Sequence, residues 1–445
     1  MILPPYEAVF GQLADAIALS LHNTEHFTLT FTGEVSQFVR FNRARVRQTG
    51  LVQDGQLHLT LMTAERTCQS SVPFTGQFEA DWPLLKTALV DLQSALPQLP
   101  IDPYVVLPNG SAQSHETCTG QLLGVDAIAS TLLPPLQAID FAGIYAGGLS
   151  YRGYADSAGQ RHWFETTAYT LDYSLFDADG QAVKGTVAGH EWDPSNYLDK
   201  IAAAKAQLAM LGRPLSKIDP GEYRTYLAPA AVAEILHMFS WGGVSEADLQ
   251  QGNSALGFLQ RGERLLSPKF SLTENFKRTG VPRFNSLGEV TAAQLPIISE
   301  GKLANSLVSS RSAKEYGKPS NHADPEETLR APEIAAGTLS PDDILSRLGT
   351  GLYLSNLHYL NWSDHPNGRI TGMTRYACFW VEQGEIVGPI ENLRFDDSFY
   401  RFFGHTLLDL TEFQDFVPNV DTYSQRQLGG IWTPGILTDE FIYTL

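Results

Sequence analysis

The sequence has few cysteines, fewer positively than negatively charged residues, and no long apolar run. Its three cysteines, Cys68, Cys118 and Cys378, are odd in number and far apart, so we expect no disulfide framework and a reducing compartment. With 31 Lys and Arg against 49 Asp and Glu, the net charge of −18 repels nucleic-acid phosphates and anionic lipid surfaces. No stretch approaches the roughly 18 apolar residues that a membrane span needs. We therefore expect a cytoplasmic protein that binds neither nucleic acid nor membrane.

Several signature motifs are also missing. The sequence contains no G-x-x-x-x-G-K-[ST] and no G-x-G-x-x-G string, so no nucleotide cofactor is expected. GGLSYRG around Ser150 has Arg152 where a nucleophile elbow needs its last glycine. The N-terminal stretch has no Lys or Arg before Arg40, so it lacks the charged start of a secretory signal and is typical of an amphipathic helix.

The composition is that of a folded protein with two domains. Its 43% hydrophobic residues, 38 Gly and 25 Pro are typical of a globular chain that is rich in turns. RPLSKIDPGEY, residues 213–223, combines two prolines with a Pro-Gly turn between two apolar segments. We therefore predict an N-terminal domain over residues 1–215 and a C-terminal domain over residues 216–445.

Hydrophobic periodicity predicts an α+β fold. In the N-terminal domain it indicates helices at about 80–95, 123–137 and 195–212. Alternating residues indicate strands over 26–64, with turns at Thr32-Gly33 and Asp54-Gly55, and over 143–190, with turns at 156–159 and 177–180. An antiparallel sheet follows from this order.

The C-terminal domain is predicted to be rich in strands, with few helices. One helix is expected in SPDDILSRLGTG, where Ser340 would cap the first turn and Gly349 would end the last one. In VRFNRARVRQTG, Arg43, Arg45 and Arg47 would share one face of an extended strand. We expect that face to be solvated; a surface that meets a partner is the alternative.

The stretch LAPAAVAEILHMFSWGG predicts a second helix, and its residues decide whether the chain could bind a catalytic zinc ion. Pro229 begins it, Gly242-Gly243 ends it, and apolar residues recur at the spacing of one buried face. His237 lies beside that face, where it could pair with Glu234. A zinc peptidase helix needs a second imidazole and a carboxylate beside the first, but the next residue is Met238.

This helix and the strings after it resemble one known family. In order, the strings are RGERLLSPKFSLTENF, SRSAKEYGKPSNHAD, GTLSPDDILSRLGTGLYLSNL and ITGMTRYACFWVEQGEIVGPIENL. Together they resemble the TldD/PmbA family of cytoplasmic peptidases and their partners, most closely over residues 225–445. Its metal-binding members carry His-Glu-x-x-x-His, which falls here on His237, Met238 and Gly242. The C-terminal cysteine that those members also use has no counterpart after Cys378.

The resemblance implies the PmbA (TldE) branch, the metal-free half of a heterodimer. On that basis we expect no cofactor in this chain, zinc in a TldD-like partner subunit, and a shared role in holding extended or unfolded peptides; a homodimer is the alternative partner. Two residues spaced by five stand some 140° apart on a straight helix, so Gly242 is expected to serve only as the helix stop. In the polar stretch 305–340, Asn321 and His322 are candidate contacts of the peptide cleft.

Two other functions stay open from the sequence. The chain could be a metallopeptidase by itself, with His237 joined by ligands such as His322 or His358. Its 17 Tyr, 23 Phe and 7 Trp could instead line a small-molecule site in a β-rich module, although aromatics also fill cores. His115-Glu116 and His190-Glu191 lack a second histidine at the right spacing, and a metal is not expected at either.

Overall fold

Helices and antiparallel strands follow one another in blocks, which confirms the predicted α+β class. The computed structural model describes residues 5–444, and the chain is 24% helical and 40% strand. We call the parts before and after residue 216 the N-terminal and C-terminal regions. The helices are α1 (Tyr6–Ala18), α2 (Phe78–Ala95), α3 (Ile128–Leu132), α4 (Pro194–Leu211), α5 (Pro229–Ser240), α6 (Glu246–Gln251), α7 (Gly257–Gln260), α8 (Ser310–Tyr316) and α9 (Ile344–Leu348).

One seven-stranded sheet forms the N-terminal region. Its strands are β1 (His26–Asn42), β2 (Arg45–Thr63), β3 (Arg66–Pro73), β4 (Gln113–Cys118), β5 (Asp140–Asp156), β6 (Arg161–Phe176) and β7 (Ala182–Gly189). The order is β3-β2-β1-β5-β6-β4, with β7 also paired to β6. All pairs are antiparallel except β4 with β6.

Two further sheets form the C-terminal region. Their strands are β8 (Gly221–Leu227), β9 (Leu272–Asn275), β10 (Gln294–Ser299), β11 (Lys302–Leu303), β12 (Pro332–Ile334), β13 (Gly351–Leu354), β14 (Asn356–Asp364), β15 (Arg369–Arg375), β16 (Phe379–Glu382), β17 (Glu385–Pro389), β18 (Arg394–Ser398), β19 (Leu407–Leu410), β20 (Asp415–Pro418), β21 (Gly430–Thr433) and β22 (Ile436–Tyr443). The six-stranded sheet has the order β11-β10-β9-β12-β21-β20. The nine-stranded sheet has the order β14-β15-β18-β22-β8-β13-β16-β17, with β19 beside β22.

The two predicted turns in the first meander were wrong. β1 and β2 run straight through them, and Gly33 lies opposite Gly55 in the pair. A Cβ on Gly33 would come within 2.5 Å of the Phe31 ring, so glycine makes room for that ring in the sheet. The hairpin turns instead at Arg43 and Ala44, which have φ of 52° and 51°. Arg43 is therefore a turn residue, so the prediction that it shares a strand face with Arg45 and Arg47 was wrong. All three side chains are exposed, and the solvated face and the partner surface both stay predictions.

The other local predictions have mixed outcomes. α2, α4 and α5 confirm three predicted helices, and β5, β6 and β7 confirm the long antiparallel strands. The helix predicted over 123–137 is only the five residues of α3, because Pro134 and Pro135 end it. Gly349 ends α9 with φ of 66°, but the Ser340 side chain makes no capping hydrogen bond.

Hydrophobic cores lie within each region and also between them. α1 and α2 cover one end of the seven-stranded sheet, where Tyr6, Phe31 and Trp163 are buried. A separate core joins Tyr173 and Ile201 of the N-terminal region to Phe379 of the C-terminal region. The two regions therefore share apolar packing, and the boundary at residue 215 stays a prediction.

Arg426 is a polar link between the two regions. Its side chain enters the seven-stranded sheet and donates to Ser36 Oγ at 3.2 Å, to the Gly148 carbonyl at 3.3 Å and to the Ala168 carbonyl at 2.7 Å. Its backbone N–H donates to Glu34 Oε1 at 3.1 Å. Arg426 is only 6% exposed, so these bonds form away from bulk water and hold the segment around it against the sheet.

Residues 5–444 contain neither a disulfide bond nor a helix that could span a membrane. All three cysteines are free, and Cys378 is buried at the start of β16, as a small apolar side chain would be. Over residues 5–444, no helix combines the length and the apolar character that crossing a bilayer requires.

Candidate functional site

Burial holds α5 in the C-terminal core. Pro229 occupies the first turn, and Val232, Leu236 and Phe239 are each at most 1% exposed. The Phe239 ring lies 5.1 Å from the Phe399 ring, measured between centroids. The side chains on the opposite face of α5 are consequently fixed in position by a packed helix rather than by a loop.

That opposite face presents Glu234, His237 and Trp241, all of which are exposed. Burial is nevertheless the largest cause that lowers the pKa of His237 and raises the pKa of Glu234. The charge that opposes the shift of Glu234 is that of Lys184 on β7, so the exposed face of α5 lies towards the edge of the N-terminal sheet.

The predicted pairing of His237 with Glu234 was wrong. Their side chains form neither a hydrogen bond nor an ion pair within 4.0 Å, and no other partner is present for His237 in the part of the chain that the structure describes. Instead, the positive charge of Lys184, which lies outside α5, acts to lower the pKa of Glu234 and so opposes the effect of burial. The His237 imidazole is left accessible and, because its pKa is lowered, more often neutral near pH 7 than an ordinary histidine.

Met238 points the other way, into the core. It is 4% exposed and belongs to the same apolar cluster as Leu236 and Phe239. Successive helix residues are turned by about 100°, so the residue after His237 leaves the exposed face. A carboxylate at this position would be buried among apolar side chains, at considerable cost in free energy.

Gly242 adopts a conformation that favours glycine, with φ of 88°. Its carbonyl oxygen accepts a hydrogen bond from His365 Nε2 at 2.7 Å, and the neighbouring Trp241 carbonyl accepts one from Trp362 Nε1 at 2.7 Å. A Cβ on Gly242 would come within 2.5 Å of His365 Nε2. The imidazole of His365 thus occupies the space into which a side chain at residue 242 would point, and Gly242 serves as the helix stop.

His365 and Trp362 act together at this helix end. Their rings lie 4.7 Å apart, with Trp362 on β14 and His365 in the turn that follows. Residues 361–364 belong to β14, and residues 365–368 form the turn. No sequence signal pointed to this contact, because His365 and Gly242 are 123 residues apart.

The two predicted cleft residues lie in a loop after α8. The Asn321 side chain accepts from the Val308 N–H at 2.9 Å and donates to the Ser306 carbonyl at 2.7 Å, so it supports the local backbone. His322 is exposed, and its Nδ1 lies 3.8 Å from Glu289 Oε1. A role for either residue in peptide contact stays a prediction, and His322 has the more accessible side chain.

Two adjoining cavities separate the N-terminal and C-terminal regions. The larger, of about 390 Å³, lies between β1 and β5 on one side and residues 281–286 and 324–330 on the other. The smaller, of about 220 Å³, lies against β6 and β7 and is lined by Phe416 and Trp432. Gln427 and Leu428 line both cavities, so the two adjoin each other, and we call them together the cleft.

The residues at the family's metal positions do not fit a zinc ion. Of His237, Met238 and Gly242, only the histidine offers a ligand atom on the exposed face of α5. Among residues 5–444, no three His, Cys, Asp or Glu side chains are close enough together to hold a metal. His115 Nδ1 lies 3.0 Å from Glu7 Oε1, and His190 Nδ1 lies 2.8 Å from the Thr167 carbonyl, so each has a local partner.

Comparison with known proteins identifies the family. Residues 220–443 match the model described as the PmbA/TldA metallopeptidase C-terminal domain. No curated protein matches the chain. TldE from Thermococcus kodakarensis superimposes with a TM-score of 0.79 at 13% identity, over 98% of this chain and 100% of that chain.

Two further solved structures share the fold. A candidate modulator of a DNA gyrase from Thermotoga maritima gives a TM-score of 0.76 at 14% identity, over 99% of this chain and 100% of that chain. A candidate modulator of DNA gyrase from Bacteroides thetaiotaomicron gives 0.79 at 15% identity, over 100% of both chains. At these identities the structures show a common fold. Because the family model spans half of the sequence, the chain belongs to the TldD/PmbA family.

Proposed function

We propose that this chain is the non-catalytic subunit of a TldD/PmbA-type metallopeptidase complex and that it helps to bind extended peptides. The observation that carries the proposal is the state of the three motif positions on α5. His237 is accessible, Met238 is buried in the core, and the side-chain space at Gly242 is filled by His365. The zinc and the cleavage reaction then belong to a TldD-like partner subunit.

The position of Met238 supports the loss of catalysis more strongly than its chemistry does. A peptidase of this type needs a carboxylate beside the first histidine to take a proton from the attacking water. The thioether of Met238 has no such capacity, and it faces away from His237 into the core. We therefore assign no step of peptide hydrolysis to residues of this chain.

Peptide binding is supported by the cleft and by the strand edge beside it. β20 is an edge strand of the six-stranded sheet, and it lies next to α5 and β7. An edge strand offers backbone N–H and C=O groups, which pair with an extended peptide of almost any sequence. Phe416 on β20 and Trp432 on β21 add apolar surface to the same cleft.

We assign the complex to the cytoplasm, where the three free thiols would stay reduced. The partner is a TldD-like chain with an intact His-Glu-x-x-x-His helix, rather than a second copy of this chain. Two copies would bring together two sites of the kind seen here, with one accessible histidine each.

The first experiment measures bound zinc per chain, by elemental mass spectrometry on protein purified without chelator or His tag. We expect a value near zero, no cleavage of an unfolded peptide by the isolated chain, and cleavage after addition of the co-purifying TldD-like subunit. The matched control is His237→Ala, which should leave the zinc content unchanged. Zinc near one per chain, lost in this variant and accompanied by chelator-sensitive cleavage, would instead identify a self-sufficient metallopeptidase.

A further inference from the structure

The larger cavity between the two regions contains an unusual pair of arginines. Arg152 comes from β5 of the N-terminal sheet, and Arg330 comes from the segment before β12 of the C-terminal region. Both line the cavity of about 390 Å³, together with the polar side chains of Asn285 and Ser286. The carboxyl group of Asp324 lines the same cavity, so it partly balances the two guanidinium charges.

Arg152 has few partners for its charge. Its side chain donates one hydrogen bond, from Nη1 to the carbonyl of the adjacent Tyr151 at 2.7 Å. Burial lowers the pKa of Arg152 to about 10, against the opposing effect of Glu34. In the described part of the chain, no carboxylate oxygen lies within 4.0 Å of this guanidinium.

Arg330 is similarly incomplete. Its Nη2 donates to the Pro282 carbonyl at 2.6 Å and to the Phe284 carbonyl at 2.9 Å. Its Nη1 is buried and has no hydrogen-bond partner. Burial also lowers the pKa of Arg330, and an unpaired buried donor of this kind costs free energy unless a ligand satisfies it.

Four acidic groups act on the two arginines, but in the described part of the chain none of them forms an ion pair with either guanidinium within 4.0 Å. Glu34 Oε1 accepts from the Arg426 N–H, and Glu274 accepts from the backbone N–H groups of Arg330 and Ala331. Burial raises the pKa of Asp324 to about 7, and the pKa of the nearby Glu326 is lowered. Asp324 is therefore protonated more often near neutral pH than an ordinary aspartate, which weakens its negative charge beside the arginines.

We propose that this cavity binds a carboxylate group of the bound peptide, with Arg152 and Arg330 as its anion contacts. The proposal rests on the proposed function, since it takes the ligand to be a peptide in the cleft. A guanidinium offers planar, paired N–H donors that match the two oxygens of a carboxylate. The volume lies at the lower end of ligand pockets, and the peptide continues past Gln427 and Leu428 into the second cavity.

The test compares three labelled hexapeptides of one neutral sequence by fluorescence anisotropy, with the protein in its complex. One has a free C-terminal carboxylate, one has a C-terminal amide, and one has the amide together with a central glutamate. A hydrogen bond to a buried charge predicts that a carboxylate tightens binding roughly tenfold or more. Preference for the free acid assigns the site to the peptide terminus, whereas preference for the glutamate peptide assigns it to an acidic side chain.

Variants connect that preference to the two arginines. Arg152→Gln should abolish the preference, so that this variant binds the three peptides with the same affinity. Arg330→Gln should act in the same way, but it also removes two bonds to carbonyls, so Arg152→Gln is the decisive variant if Arg330→Gln fails to fold. The matched control is Arg45→Gln, which removes the same charge from the exposed hairpin tip and should keep the preference.

The possible failures are distinguishable. If the wild type binds all three peptides equally, or if Arg152→Gln retains the preference, the carboxylate site is refuted while peptide binding stands. If none of the peptides binds, the proposed function fails, and the carboxylate site fails with it.

Discussion

Replacing Gly242 with alanine should destabilise the protein by about 2–4 kcal/mol. Two effects add up to this value. A non-glycine residue at a φ of 88° is strained by about 1–3 kcal/mol. The new Cβ would also lie 2.5 Å from His365 Nε2, so the imidazole must move and its hydrogen bond to the Gly242 carbonyl, about 1 kcal/mol, is lost.

A double-mutant cycle separates the two effects. His365→Ala alone removes the hydrogen bond but adds no backbone strain. In the double variant that bond is lost only once, so its cost should fall short of the sum of the single variants by about 1 kcal/mol. The assay is urea unfolding followed by tryptophan fluorescence, because Trp241 and Trp362 both adjoin this contact.

A matched glycine provides the control. Gly252 ends α6 with φ of 76°, but a Cβ there would meet nothing within 4 Å. Gly252→Ala should therefore show the strain alone and no coupling to His365. The reasoning is refuted if Gly242→Ala costs no more than Gly252→Ala, or if the costs of Gly242→Ala and His365→Ala are simply additive.

Three further predictions follow from the same structure. Rebuilding the motif with Met238→Glu and Gly242→His should yield a less stable protein that still lacks stoichiometric zinc, as measured by melting temperature and elemental analysis, because the glutamate is buried and His365 fills the second position. Burial raises the pKa of Glu274 from 4.5 to about 7. Between these two pH values the folded protein therefore keeps a proton on Glu274 that the unfolded chain has already released. Stability should thus fall by about 3 kcal/mol as pH rises through this window, and Glu274→Gln should remove that component from unfolding curves recorded at several pH values. Arg426→Ala should destabilise the protein by about 3 kcal/mol in urea unfolding, since it deprives buried acceptors on the N-terminal sheet of their donor; a cost below 1 kcal/mol would contradict that role.

Sequence signals predicted those strands and helices whose ends are set by residues close to them in the chain. The strands β5, β6 and β7 were found because Asp156 and Asp177 begin turns in which their own side chains accept backbone N–H groups. The turn predicted at Gly33 is wrong because this glycine leaves room for the Phe31 ring on the sheet face. A turn motif in the sequence does not distinguish that role of glycine from a role in a turn. Helices α6, α7 and α8 were missed because they are too short to show a period.

The same limit applies to the candidate site. Pro229 and the paired glycines predicted the bounds of α5 and the role of Gly242 as helix stop, and the apolar spacing predicted its buried face. The contact of His365 with Gly242 and the cavity that joins Arg152 to Arg330 were not predicted, since each brings together residues from distant parts of the chain. Tertiary packing decides such contacts, and no property of either residue alone predicts them.

The position of β22 has a consequence for how the protein is made. This strand, which ends at Tyr443, lies inside the nine-stranded sheet between β18 and β8. Since β8 begins at Gly221, its partner is synthesised some 200 residues later, at about 5–20 residues per second. Until then β8 has an open edge, which is a template for wrong pairing. Folding of the C-terminal region is therefore completed only after residue 443 has left the ribosome, and the nascent chain carries this open edge while the roughly 200 residues between β8 and β22 are synthesised.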